Sequence, residues 1–269
     1  MKRNTITALR LLLIALLLLG LTNLLRTRSE QRAAEQAAGA AAEAAGLDKL
    51  PLPKEESDPV AAALLATDLA ALREVNPDVV GWISIPDTPV NYPLLQRDSN
   101  EYYLDRTWQG TYNPNGSIFL EKECAADLSD FNTIVYGHNM VSDAMFGTLD
   151  SYQNADYLAA HPCVYLRTDT GVWRYRVFAA YEATLQDACY RLGITTRSAK
   201  EEALRRIQST NPLDTGLWPG FEDQILTLST CTNNRRSRRF VVISVLEEVV
   251  AAEGAEGSPL DGAAGKPSF

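Results

Sequence analysis

Histidine is almost missing from this chain: its 269 residues hold only two, His138 and His161. Imidazole chemistry near neutral pH must therefore run through one of these two positions. The four cysteines (Cys124, Cys163, Cys189 and Cys231) form no C-x-x-C pair, which argues against a zinc site. Two disulfides stay open for an extracytoplasmic domain, although a chain this long can build a core without staples. Basic charge is also short, with 25 Lys and Arg against 34 Asp and Glu and a formal net charge of −9. That balance argues against nucleic acid as a partner. No internal repeat is visible. Hydrophobic content of 46% and charged content of 22% are those of a globular protein, and both ends lack core pattern. The expectation is one domain of roughly two hundred residues.

The long apolar run lies at Leu11–Leu25, interrupted by Gly20, Thr22 and Asn23. Lys2, Arg3 and Arg10 precede it, and Arg26 and Arg28 follow. Fifteen helical residues span about 22 Å at 1.5 Å each, short of the ~30 Å hydrocarbon core unless Ile6–Leu9 and snorkelling arginines extend the reach. A cleaved signal peptide and an uncleaved signal-anchor both fit. Thr-Asn-Leu-Leu-Arg-Thr-Arg is a poor cleavage context, so residues 1–28 read as a signal-anchor. Basic residues on both flanks leave its orientation open. Residues 29–58 are rich in Ala and Glu, then Pro, and show no apolar stripe to bury. They read as a partly helical or mobile stalk.

From Val60 the pattern changes. Ala61, Leu64, Leu65, Leu69 and Leu72 fall at helical spacing until Asn76-Pro77 stops the run. Strand signals follow at VVGWISI (79–85), VNYPLLQ (90–96), GSIFL (116–120) and Thr133–Tyr136, with NEYYL (100–104) a short helix or turn. Met145–Leu149 and Tyr152–Leu158 read as short helical pieces. Val164–Arg167 and Val172–Ala180 form a hairpin around Thr-Asp-Thr-Gly. Ser198–Ser209 is an amphipathic helix with a Ser198/Glu201 capping box and a buried stripe of Ala203, Leu204 and Ile207. Two apolar β-branched runs close the pattern, Ile225–Leu228 and Phe240–Leu246. Many short strands with few helices indicate a mostly β barrel or sandwich spanning residues 59–250, followed by a disordered tail at 251–269.

Chemistry concentrates at those last two runs. Cys231 ends the first and Arg239 opens the second, so a thiol and a guanidinium meet at one sheet edge. His138 follows the strand-like NTIVYG. A thiolate is the reactive form of cysteine, and a nearby cation stabilises it. Histidine can protonate a leaving amine, and arginine can hold an oxyanion. The residues alone also allow a plainer reading, with Cys231 a small core residue, His138 a turn residue and Arg239 a strand-end charge. Within RRSRR, a solvated loop is the plain reading for all but Arg239.

TLSTC (227–231) with RFVV (239–242) resembles the active-site signature of the sortases. YGHNM (136–140), MFGTL (145–149), NPDVVGWISIPDTPVNYPLLQ (76–96), NEYYL, GSIFL and the helix-bearing insertion between Tyr181 and Gly220 resemble class B in particular. The likeness runs in order from about Ala70 to Glu247. It implies a closed sortase-type β-barrel of about eight strands, with an N-terminal helix and a helix-containing insertion before the last strands. It also implies a membrane-anchored cysteine transpeptidase of Gram-positive bacteria, single-pass, with its catalytic domain outside the cell. Such an enzyme cuts a C-terminal sorting motif of the N/S-P-x-T-(N/G/A) type in surface proteins. It then joins the threonine carboxyl to an amine of a peptidoglycan precursor or pilin. Cys231 would be the nucleophile, His138 the general acid and Arg239 the substrate-positioning, oxyanion-holding group. Asn100, Leu104, Tyr136 and Ser229 match positions that line the peptide groove. No metal or cofactor is implied. Arg238 remains an alternative to Arg239, and His161 reads as structural. A hydrolytic thiol protease and a non-catalytic membrane-anchored binding module are the other functional classes.

Overall fold

A computed structural model of the chain describes residues 2–47, 58–231 and 238–252, and for residues 2–11 and Cys231 the backbone alone. Eight strands form the body. They are β1 (Val79–Ser84), β2 (Asn91–Leu95), β3 (Phe119–Leu120), β4 (Asn132–Gly137), β5 (Cys163–Thr168), β6 (Gly171–Thr184), β7 (Ile225–Cys231) and β8 (Arg238–Ala251). They close into a barrel in the order β1-β2-β3-β4-β7-β8-β6-β5. Two pairs are parallel, β2–β3 and β4–β7, and the rest are antiparallel. Closure leaves no open sheet edge, so every strand pairs on both sides. The β-branched and aromatic runs seen in the sequence supply both faces of this wall. Trp173, Tyr175, Leu228, Phe240 and Val242 fall in the largest buried cluster, while Phe178, Val241 and Ile243 pack with the insertion helix.

Helices cover the barrel at three places. The single helix expected over residues 60–75 is two, α2 (Pro59–Leu65) and α3 (Leu69–Val75). Two aspartates explain the break, because each starts a helix. Asp58 accepts from Val60 N at 2.9 Å and Ala61 N at 3.2 Å, and Asp68 accepts from Ala71 N at 2.9 Å. Such caps are worth about 1 kcal/mol each. Between β4 and β5 lie a 3₁₀ turn (Leu149–Gln153) and α4 (Ala155–Ala160). In the insertion, α5 (Arg197–Thr210) buries Ala203, Leu204 and Ile207 as expected. The capping box does not form: α5 begins one residue before Ser198, and Glu201 instead pairs with Arg197 at 2.8 Å, one turn away.

The N-terminal helix α1 runs unbroken from Lys2 to Ala44. Among the described residues, it holds the one segment long and apolar enough to cross a membrane, and its leucines from Leu12 to Leu25 are exposed. The expectation that the following alanine-rich stretch has nothing to bury is corrected. Ala34, Ala41 and Ala45 are buried, and Ala37 and Ala38 pack beside them. Methyl groups spaced three and four apart make a narrow stripe that lets the backbone approach closely. Trp108 Nε1 donates to Ala37 O at 2.7 Å, and Asn113 Nδ2 donates to Glu30 O at 3.2 Å. Residues 48–57 of the expected stalk, most of the expected tail, and Arg235 and Arg236 lie outside the described residues.

Candidate active site

Strand register gathers the three chemistry-bearing positions. β4 and β7 run parallel, with Tyr136 beside Ser229 and Gly137 beside Thr230. The next residues along these two chains are His138 and Cys231. β7 and β8 run antiparallel, with Cys231 directly opposite Arg239. His138, just past the end of β4, therefore lies level with Cys231 on β7 and Arg239 on β8. The register thus brings the three positions to one end of the barrel.

His138 is half-buried, and its Nε2 lies 2.7 Å from the carbonyl oxygen of Leu104. A carbonyl can only accept, so Nε2 carries the hydrogen and Nδ1 is the nitrogen left for proton exchange. The contact requires the Tyr102–Leu104 3₁₀ turn to come close to the end of β4. Gly116 makes the space. At φ +59° it adopts a left-handed conformation, and a Cβ there would lie 2.7 Å from Leu104 O and 2.8 Å from His138 Cδ2.

The two adjacent arginines differ in their cross-strand relations. Arg238 Nη1 reaches Glu182 Oε2 on β6 at 3.4 Å, whereas Arg239 is the cross-strand partner of Cys231. The charge of Arg239 also acts on the phenol of Tyr190. Burial raises the pKa of that phenol, while its bond with Ser229 and the nearby arginine oppose the rise.

Of the four expected groove residues, Leu104 is exposed and Ser229 is buried with its Oγ 2.7 Å from Tyr190 OH. Asn100 and Tyr136 converge on a residue that sequence reasoning missed. Tyr136 OH donates to Glu121 Oε2 at 2.9 Å, and Asn100 Nδ2 donates to both Glu121 oxygens at 2.6 and 2.7 Å. Burial raises the Tyr136 pKa, and the adjacent Glu121 charge raises it further. Glu121 sits between Leu120 and the charged Lys122-Glu123, where an acidic residue reads as the polar end of a strand. Tyr190 was equally hidden inside the insertion, with no local signal beyond its aromaticity.

The remaining thiols are set apart from this rim. Cys124, Cys163 and Cys189 are free, and Cys124 and Cys189 are buried. Burial pushes the thiols of Cys124 and Cys189 up to about 12 and raises that of Cys163. His161 caps α4 and places Nδ1 3.0 Å from Pro86 O, a structural role. Among the described residues, no cluster of three His, Cys, Asp or Glu could hold a metal ion.

A closed eight-stranded barrel with a thiol, an imidazole and a guanidinium at one level of its rim is the architecture of a sortase-type cysteine transpeptidase. The sortase domain family model matches residues 83–247. Sortase B of Listeria monocytogenes is 32% identical over 168 residues, covering 62% of this chain and 68% of the relative. Sortase B from Bacillus anthracis superposes with a TM-score of 0.70 at 27% identity, covering 82% of this chain and 99% of that one. The sortase B–substrate complex of Staphylococcus aureus gives 0.64 at 28% identity, covering 68% and 85%. The chain belongs to the sortase family, and within it to class B. Its activity is that of a class B cysteine transpeptidase.

Proposed function

We propose that this enzyme cleaves a C-terminal sorting motif of the N/S-P-x-T-(N/G/A) type and transfers the threonine carboxyl to an amine of a peptidoglycan precursor or a pilin. The observation that carries this reading is the common level of His138, just past β4, with Cys231 on β7 and Arg239 on β8. The Cys231 thiolate attacks the threonine carbonyl carbon, and the C=O electron pair moves to oxygen. Arg239 holds that oxyanion. Collapse breaks the C–N bond, and His138 supplies a proton to the departing amine through Nδ1. A thioester now joins the threonine carbonyl to Cys231. The incoming amine attacks this thioester, gives a proton to His138 and expels the thiolate, which restores all three groups.

Leu104, Tyr136 and Ser229 are assigned to the peptide groove around this rim, with Asn100 contributing through its turn. The apolar part of α1 is a candidate anchor, and we assign the barrel to the outside of the cell in a single-pass arrangement. The substrate complex of the S. aureus relative supports a peptide substrate. The test incubates the full chain in detergent with a fluorogenic sorting peptide, with and without triglycine or a diaminopimelate amine. Mass spectrometry should find a threonyl–amine product, with none from Cys231→Ala. A product carrying only a free carboxyl at saturating amine would make the enzyme a hydrolase. Equal cleavage by Cys231→Ala and wild type would remove Cys231 from the mechanism.

A further inference from the structure

Glu121 is 6% exposed, yet no lysine, arginine or histidine among the described residues forms an ion pair with its carboxylate. A buried carboxylate is costly unless hydrogen bonds replace its hydration. Here they do. Oε1 accepts from Asn100 Nδ2 at 2.6 Å, and Oε2 accepts from the same nitrogen at 2.7 Å and from Tyr136 OH at 2.9 Å. The backbone of Glu121 is fixed as well, its N–H donating to Ile134 O at 2.8 Å and its carbonyl accepting from Gln96 Nε2 at 3.0 Å.

The two donors lie on the two elements that define the position of His138. Tyr136 precedes His138 by two residues on β4. Asn100 precedes Leu104 by four residues, and the Leu104 carbonyl holds His138 Nε2 at 2.7 Å. Asn100 is engaged on both ends of its amide, because its Oδ1 accepts from Lys122 N at 2.9 Å. These bonds hold the turn against Glu121 and Lys122.

We propose that Glu121 is a positioning residue for the transpeptidation reaction: its buried carboxylate ties the Asn100–Leu104 turn to the end of β4 and so fixes the orientation and tautomer of the His138 imidazole. Asn100 acts in the same chain, behind the groove. A carboxylate buried this way strengthens its hydrogen bonds and locks the geometry of their donors. The proposal rests on His138 being the proton carrier, and its test has an arm that needs no substrate.

The experiment compares full-length wild type, Glu121→Gln, Tyr136→Phe and the double variant. Because the chain contains only two histidines, ¹⁵N-histidine labelling yields two imidazoles that His138→Gln assigns. In wild type, the His138 Nε2–H signal should be protected from solvent exchange. In Glu121→Gln, that protection should fall at least tenfold, with the His161 signal unmoved. On the sorting peptide, kcat should fall roughly ten- to a hundredfold with KM within about threefold of wild type. Tyr136→Phe should give a smaller loss of the same kind and add little to Glu121→Gln, since both cut one chain. A raised KM with unchanged kcat would make the cluster a binding element and overturn the proposal. So would an unchanged His138 signal in a folded Glu121→Gln. If Glu121→Gln fails to fold, the His138 Nε2–H protection in Tyr136→Phe decides, a fall supporting the proposal and an unchanged signal overturning it. A wild type that cleaves no sorting peptide would sink the substrate assignment and leave the imidazole comparison to judge Glu121.

Discussion

Cys231 and Arg239 sit directly opposite each other across the antiparallel pair β7–β8. Their neighbours differ in kind: Arg238 is paired with Glu182 on β6 at 3.4 Å. Both members of that ion pair are substantially exposed, and such a pair contributes little to stability.

The two arginines should therefore separate cleanly by function. Arg239→Ala should lower kcat/KM on a sorting peptide by about 10²–10³, the usual loss of an oxyanion donor. Arg238→Ala should stay within about twofold, as expected for an exposed pair. Steady-state kinetics on the two variants checks this, and the reverse ranking would reassign the oxyanion role.

Thiol labelling should follow burial. Cys124 and Cys189 are buried with thiols pushed up to about 12, so at pH 8 almost none of either is thiolate. Brief iodoacetamide treatment of the folded enzyme, read by peptide mass mapping, should leave both unmodified while Cys231 is alkylated. Rapid modification of Cys124 without unfolding would show that this part of the barrel opens.

Gly116→Ala combines a left-handed backbone with a Cβ 2.8 Å from the His138 ring. The backbone term alone costs about 1 kcal/mol. The displacement of His138 should lower kcat by at least tenfold, beyond what the loss in Tm explains. Gly193, which is also left-handed but has nothing within 4 Å of its Cβ position, supplies the control. Gly193→Ala should lower Tm by the backbone cost alone, less than Gly116→Ala, and leave kcat unchanged.

Asp58 should make the fold acid-sensitive at one point. Burial raises its pKa, but hydrogen bonds from Tyr165 OH, Ala61 N–H, Arg174 and Val60 N–H outweigh this and lower it. A group with a depressed folded pKa stabilises the protein above its unfolded value and loses that contribution as pH falls through the folded one. Asp58→Asn should thus lower Tm at pH 7, and the gap to wild type should close as pH drops from about 4 downward. Melting curves across that range test it, and a gap independent of pH would assign the loss to packing.

The strands were the most legible part of the sequence, because their signal is local. ILTL, FVVI and TIVY are short runs rich in β-branched and large apolar residues, and the wall they build is buried on both faces. The rim trio was legible for a related reason: each member sits at the end of such a run. What sequence could not give was set by distant partners. Asp68 interrupts an apolar helical pattern that is otherwise unbroken. The alanines of α1 carry too little surface to register as a stripe until Trp108 and Tyr92 are brought against them. Glu121 looks solvent-facing among Lys122 and Glu123, and only the pairing of β3 with β4 reveals that it is enclosed. Asn100 matched a groove position by resemblance, and the structure adds its bonds to the Glu121 carboxylate and the Lys122 N–H, which no sequence pattern announced.

The run of α1 from its exposed leucines into the barrel has a mechanical consequence. Glu30, whose carbonyl already receives Asn113, is five positions after Leu25, and five helical steps rise only about 7.5 Å. Such a connection is a strut, whereas a floppy leash of equal length would let the domain sample many heights and bearings. With the leucines seated in a bilayer, the rim would be held at a fixed altitude and azimuth above the lipid surface. Substrates would then have to arrive at that altitude, so the length of polypeptide between a sorting motif and its own membrane segment becomes a selection rule.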